Sequence, residues 1–183
     1  MSPHALDVLH QEHRTIAKLI DLFERQVALI NQGLEPDTDL IKEIVEYFRT
    51  FPDVYHHPKE DLIVRAISRR DPDAAQTLIG LGHEHEAQSG ELARLSRAFV
   101  EMLMEPTTRA PAFAQLATEF ILDQRRHMAW EEANFFDIAA ATLTERDWAV
   151  IDERIAQLKM PRPEIQVRPR FERVDRELSS WRG

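Results

Sequence analysis

Apolar positions recur along most of the chain at intervals of three and four residues, the spacing of one buried helix face. From about residue 3 to 32 the stripe is Leu6, Leu9, Ile16, Ile20, Phe23, Val27 and Ile30, closed by Asn31-Gln32-Gly33; a glycine just past the last periodic residue is a helix stop. Asp37 or Thr38 can cap a second helix. That helix carries Leu40, Ile41, Ile44, Val45, Phe48 and Phe51, then Ile63, Val64 and Ile67. Pro52 and Pro58 each remove a backbone donor inside it, so a kink or local irregularity is expected there. A third helix is expected from about residue 73 to 104, with Leu78, Leu81, Leu92, Leu95, Phe99 and Met102 on its face. A fourth is expected from about 110 to 141, with Phe113, Leu116, Phe120, Phe135 and Ile138. A shorter fifth starts at Thr144, where Thr-Glu-Arg-Asp can cap, and carries Trp148, Ile151, Ile155 and Leu158. Pro161-Arg162-Pro163 then opens a charged tail with a short helix near Arg170–Trp181.

Helices of about 30 residues are about 45 Å long. Four of them joined by short loops predict an all-α fold, an antiparallel up-down four-helix bundle, over residues 1–142. Residues 143–183 form a C-terminal helical extension that packs on the bundle or projects from it.

Each of the four apolar stripes is interrupted by polar residues. In the first, His13 fills the gap between Leu9 and Ile16; in the third, His85 fills the gap between Leu81 and Leu92. In the fourth, Gln124, His127 and Glu131 lie on the stripe between Phe120 and Phe135. In the second, His56 and Glu60 lie between Phe48 and Ile63. Four helices thus each place a histidine on the buried face, and two add a glutamate one turn on. The pattern is duplicated. Leu9-His-Gln-Glu-His13 matches Leu81-Gly-His-Glu-His85 at an offset of 72 residues, and His56…Glu60-Asp61 matches His127…Glu131-Glu132 at an offset of 71. Two helix pairs related by a pseudo-twofold would bring His13, His56, Glu60, His85, His127 and Glu131 together in the interior.

Composition narrows the chemistry. The 183 residues include eight His and no Cys, with a formal net charge of −9. The missing cysteine excludes disulfides, thiolate zinc sites, cysteine-ligated iron–sulfur clusters and a cysteine nucleophile. The acidic balance argues against a nucleic-acid surface. No apolar run approaches the roughly 20 residues that span a bilayer. The start MSPHALDVLHQEH lacks a basic segment followed by an apolar one, so no signal peptide and a cytoplasmic location are expected. No nucleotide-binding signature, nucleophile elbow or phosphate loop is present. Imidazole plus carboxylate without thiolate suits iron, manganese or zinc. Six such donors exceed one tetrahedral zinc and suit two metals, each taking two histidines, with the glutamates able to bridge. They leave positions open for water, an oxo bridge or a diatomic ligand. Two buried carboxylates without cationic partners would cost several kcal/mol each, and no Lys or Arg lies on those stripes.

The remaining polar residues carry weaker signals. His4 is expected in solvent and His10 at a cavity edge or the surface. His83 lies roughly 200° around the helix from His85. His57 pairs with Asp61 as a second i,i+4 set facing away from His56. Asp61 and Glu132 are expected outside the centre or on the surface. Glu12 and Glu84 precede a candidate histidine in both copies, and both a solvated flank and a proton or metal path fit them.

Taken in order, Leu9-x-x-x-His13, His56-His57-Pro-Lys-Glu60-Asp61, Glu84-His85-Glu86 and His127-Met-Ala-Trp-Glu131-Glu132 resemble the hemerythrin-like HHE cation-binding domain over roughly residues 1–142. The resemblance implies a four-helix bundle holding a non-heme centre of two iron ions, oxo- or hydroxo-bridged, with zinc or manganese as substitutes. His13, His56, His85 and His127 would be terminal ligands, and Glu60 and Glu131 bridging. Oxygen-carrying hemerythrins have five histidines, the third helix supplying His-x-x-x-His and the fourth His-x-x-x-x-Asp. Here the position four after His85 is Ser89, and the fourth helix offers Glu131. The four-His, two-Glu set is closer to the Repair of Iron Centers group and to the eukaryotic F-box iron sensor. The implied function is binding or sensing of O2, NO or peroxide, or iron handling under stress. A di-iron enzyme reducing NO or peroxide and a metal-stabilised interaction module are the alternatives. The implied partners are metal ions and a small diatomic or peroxide ligand, with no nucleic acid and no membrane; a homo-oligomer is left open.

Overall fold

The computed structural model describes residues 3–158 and 172–180; the Pro161–Pro163 stretch, Arg170 and Trp181 lie outside them. Among the described residues the regular structure is entirely helical. The order is α1 (His4–Asn31), α2 (Thr38–Phe51), a π-helical turn (Pro52–His56), α3 (His57–Arg70), α4 (Pro72–Gln76), α5 (Ile79–Met104), α6 (Pro106–Trp130), a second π-helical turn (Glu131–Phe135), α7 (Phe136–Thr142), α8 (Glu145–Gln157) and α9 (Glu172–Ser180).

Local chemistry sets several of these boundaries. Gly33 takes a φ of 70°, left-handed backbone that glycine adopts without a Cβ penalty, and so ends α1. The Asp37 side chain accepts from the Leu40 N–H at 3.0 Å and starts α2. Thr144 and Asp147 form a reciprocal capping box at α8. The irregularity expected at Pro52 is the first π-helical turn, while Pro58 falls in the first turn of α3.

Two helices differ from the sequence expectation. The third begins at Ile79, because Asp71 accepts from the Ala74 N–H at 3.0 Å and caps a separate short α4 that ends before Thr77. The fourth starts earlier, with Pro106 in its first turn, where a missing N–H costs nothing. It is then widened by the second π-helical turn at Glu131.

The bundle buries two apolar clusters. One contains Ile16, Ile20, Phe23, Ile44, Phe48, Leu92, Leu95, Phe99, Phe113, Phe120 and Ile121. The other contains Leu6, Leu9, Ile63, Ile67, Leu81, Phe135, Phe136, Trp148 and Ile151. The helices of the C-terminal extension contribute to both. From α8, Trp148 and Ile151 enter the second cluster. At α9, Val174 enters the first, and the Glu43 carboxylate accepts from the N–H groups of Arg173 and Val174 at 2.9 and 3.0 Å. No helix among the described residues is long and apolar enough to cross a membrane.

Candidate metal centre

The two clusters are separated by a polar layer. Each long stripe passes from one cluster to the other at a histidine: Leu9 to Ile16 across His13, Phe48 to Ile63 across His56, Leu81 to Leu92 across His85, and Ile121 to Phe135 across His127. His13, His56, Glu60, His127 and Glu131 are buried, and the His85 side chain is 12% exposed. All six residues singled out from the sequence therefore meet in one place.

Within the layer, both carboxylates face two ways. Glu60 sets Oε1 3.2 Å from His56 Nε2 and Oε2 3.5 Å from His85 Nε2. Glu131 sets Oε2 3.3 Å from His13 Nε2, and Oε1 3.1 Å from His127 Nε2 and 3.7 Å from His85 Nε2. One oxygen of each glutamate thus points to the His13–His56 side and the other to the His85–His127 side. None of the four oxygens has a hydrogen bond of normal geometry, nor does Nε2 of His85 or His127. Buried polar atoms are almost always satisfied, and a cluster of exceptions calls for an ion or other unseen partner.

A second set of carboxylates holds the imidazoles from behind. Nδ1 of His56 donates to Glu12 at 2.9 Å, Nδ1 of His127 to Glu84 at 2.9 Å, and Nδ1 of His13 to Glu132 at 3.0 Å. Glu12 and Glu84 thus belong to the centre, each gripping the histidine of a neighbouring helix. With every Nδ1 protonated, Nε2 is the nitrogen left to face inward, the arrangement that fixes tautomer and ring orientation in metal-binding histidines.

The position of His57 corrects the sequence reading. Its ring stacks on His85 with centroids 3.7 Å apart and planes 8° from parallel, and its Nδ1 lies 3.2 Å from Asp53 Oδ1. Asp61 is exposed and pairs with Arg65 instead. A regular helix turns about 100° per residue, which separates His56 from His57; the π-helical turn ending at His56 is wider, so both rings face inward. Lys59 was also missed. It is buried, but its ammonium goes to Glu12 at 2.6 Å and to the Tyr55 carbonyl at 2.6 Å, not to Glu60 or Glu131. His4 and His83 are exposed. His10 sits at the edge, with its ring against Phe136 and Nδ1 3.7 Å from Glu132.

The electrostatics follow from this packing. Burial opposes a charge on His56, but Glu60 and the contact with Glu12 outweigh it and push the imidazole up to about 10. His127 moves in the same direction against burial, through Glu131 and Glu84. Glu131 is held well below the usual carboxylate range, the contacts from His127, His13 and His85 outweighing its desolvation. His57 goes down to about 2, through burial first and then the neighbouring His85. His13 Nε2 and His56 Nε2 are 3.1 Å apart.

Two groups of donors come within metal-binding reach. His13, His56, Glu60 and Glu131 each offer an atom within 4.8 Å of the others, and so do His57, His85 and His127. Compared with known families, residues 4–139 match the hemerythrin HHE cation binding domain. The chain belongs to that family. No curated protein and no solved structure matches it. In this HHE chain the domain and the buried His/Glu layer point together to cation binding, and the orphaned atoms fit a cation held between the glutamates.

Proposed function

We propose that the chain binds two iron ions in the polar layer. His13 and His56 would be terminal ligands on one side, His85 and His127 on the other, with Glu60 and Glu131 bridging. The observation that carries this reading is the division of the two buried carboxylates, one oxygen of each toward each imidazole pair and none hydrogen-bonded. A bridging carboxylate needs that arrangement, and an ion-paired core glutamate does not. Imidazole and carboxylate donors without thiolate suit iron, with manganese or zinc as substitutes of the same donor class.

Iron bound here would supply a redox couple and open coordination positions for a diatomic or peroxide ligand, so the reading extends to binding or sensing of O2, NO or peroxide, or to iron handling. The protein's own part is to hold Nε2 of His56, His127 and His13 inward through Glu12, Glu84 and Glu132, and to exclude bulk water with two apolar clusters. The path of the chain supports the antiparallel up-down order: α1 runs from the second cluster to the first, α2–α3 back, α5 forward and α6–α7 back. Residues 1–142 would be the metal-binding bundle and 143–183 an extension packed on it.

The test is metal content and optical spectrum of the purified chain, with and without O2 and NO. Two iron equivalents per chain and a spectrum that changes with either gas are expected. A chain that takes up no iron, and whose helicity and spectrum ignore exhaustive chelation, refutes the reading.

A further inference from the structure

Where α8 packs along α3 it leaves a cleft of about 470 Å3, and none of the six residues of the polar layer lines it. α8 lies outside the residues that match the family, so the cleft is a product of the extension. Its floor is apolar: Leu62 and Ala66 from α3, Val150 and Ile151 from α8. Val150 is 44% exposed there. Its rim carries four guanidinium groups, those of Arg69, Arg70, Arg146 and Arg154, against the single carboxylate of Asp147. The chain as a whole has a net charge of −9.

The four cations are not equivalent. Arg70 is used by the fold, with Nε 2.7 Å from Asp147 and a terminal nitrogen donating to Thr144 Oγ1 at 3.3 Å, which braces the α8 cap. Arg69, Arg146 and Arg154 are exposed and make no ion pair or side-chain hydrogen bond among the described residues. Elsewhere Arg65, Arg109, Arg125 and Arg126 all meet carboxylates. The helix dipole favours a cation in a last turn, which accounts for Arg69 and Arg154, but it disfavours Arg146 in the first turn of α8. Arg146, Val150 and Arg154 follow at steps of four on one face, so the two cations stand about 12 Å apart with an apolar side chain between them.

We propose that this cleft binds a small organic anion, an apolar body lying on the floor and a phosphate monoester head held by the unpaired guanidinium groups. A phosphate dianion offers three acceptor oxygens and takes arginine forks bidentately. The volume lies in the range of about 300–1,000 Å3 usual for small-molecule sites.

The experiment is isothermal titration calorimetry of the full chain with naphthyl phosphate, inorganic phosphate and naphthol. Naphthyl phosphate is expected to saturate one site with Kd below about 1 mM, and the other two to bind at least about 10-fold more weakly. Arg146→Gln and Arg154→Gln should each weaken naphthyl phosphate by about 10-fold, with melting curves unchanged because both side chains are exposed. Val150→Asn should weaken naphthyl phosphate and leave inorganic phosphate unchanged. Arg109→Gln, at the α5–α6 turn, should alter nothing. No saturable binding of naphthyl phosphate overturns the proposal, as does binding that both arginine variants leave unchanged, or equal affinity for inorganic phosphate. Saturable binding of an oligoglutamate peptide where naphthyl phosphate gives none, lost in Arg154→Gln, overturns it in favour of an acidic protein partner.

Discussion

Removing the metal should cost the fold a large part of its stability. Six buried atoms of the centre lack hydrogen bonds: both oxygens of Glu60, both of Glu131, and Nε2 of His85 and of His127. At about 1–3 kcal/mol for each unsatisfied polar atom, the gross penalty is about 6–18 kcal/mol, against a total stability of about 5–15 kcal/mol for a typical domain. Contacts between the glutamates and the surrounding imidazoles at 3.1–3.5 Å offset part of it, since a buried ion pair recovers much of its desolvation cost. Linkage gives the complementary figure. With free metal at about 100 times Kd, each site stabilises by about 2.7 kcal/mol, or about 5 kcal/mol for two independent sites. In a chain of this length about 1 kcal/mol moves Tm by about 2–4 °C, so loaded and chelated protein should differ by about 10–20 °C. Thermal unfolding followed by circular dichroism, with bound metal counted in both samples, measures this. In Glu60→Gln the metal-induced shift should collapse if Glu60 bridges as proposed, because the amide removes one carboxylate charge and one oxygen donor. A loaded wild type carrying two equivalents and melting within about 2 °C of the chelated protein would refute the reasoning.

Three further outcomes follow from the same geometry. His56 is pushed up to about 10, so in the metal-free protein its stabilising contribution is complete below the ordinary imidazole value of about 6.5 and is lost as pH rises through about 10. Metal uptake at pH 7 should therefore expel protons, since both His56 and His127 are shifted upward, and apparent affinity should rise with pH; a pH indicator in weak buffer reads the release, and its absence contradicts the upward shift. Glu12→Gln and Glu84→Gln should each weaken metal binding by about 10–100-fold while Asp61→Asn leaves it unchanged, checked by chelator competition. Thr144→Ala removes the α8 cap and should cost about 1 kcal/mol, seen as a Tm lower by about 2–4 °C with metal content intact.

The residues legible in the sequence were those fixed by period alone. His13, His85 and His127 interrupt stripes that are otherwise apolar, and Glu131 repeats one turn on, so a regular helix places them inward without knowledge of its neighbours. His57 failed for the same reason. The rule of about 100° per residue assumes α-helical winding, and the chain departs from it at Pro52–His56; the proline announced an irregularity but not its sense. Glu12, Glu84 and Glu132 were ambiguous because what decides their role lies on another helix. A carboxylate at a flank faces solvent or a neighbouring imidazole depending on interhelical distance, which no single stripe encodes.

The repeat itself separates what the fold imposes from what this chain adds. The grip of Glu12 on His56 and that of Glu84 on His127 span 44 and 43 residues and are copies of one contact. The copies diverge in two places. Glu132 holds His13, whereas its counterpart Asp61 turns outward to Arg65. Met128 lies in the apolar core, whereas its counterpart His57 stacks on His85. Both divergences fall on the surroundings of His85, which has lost a carboxylate behind it and gained an imidazole beside it. Two identical copies would make a symmetric layer, so its asymmetry is written in the residues that break the duplication.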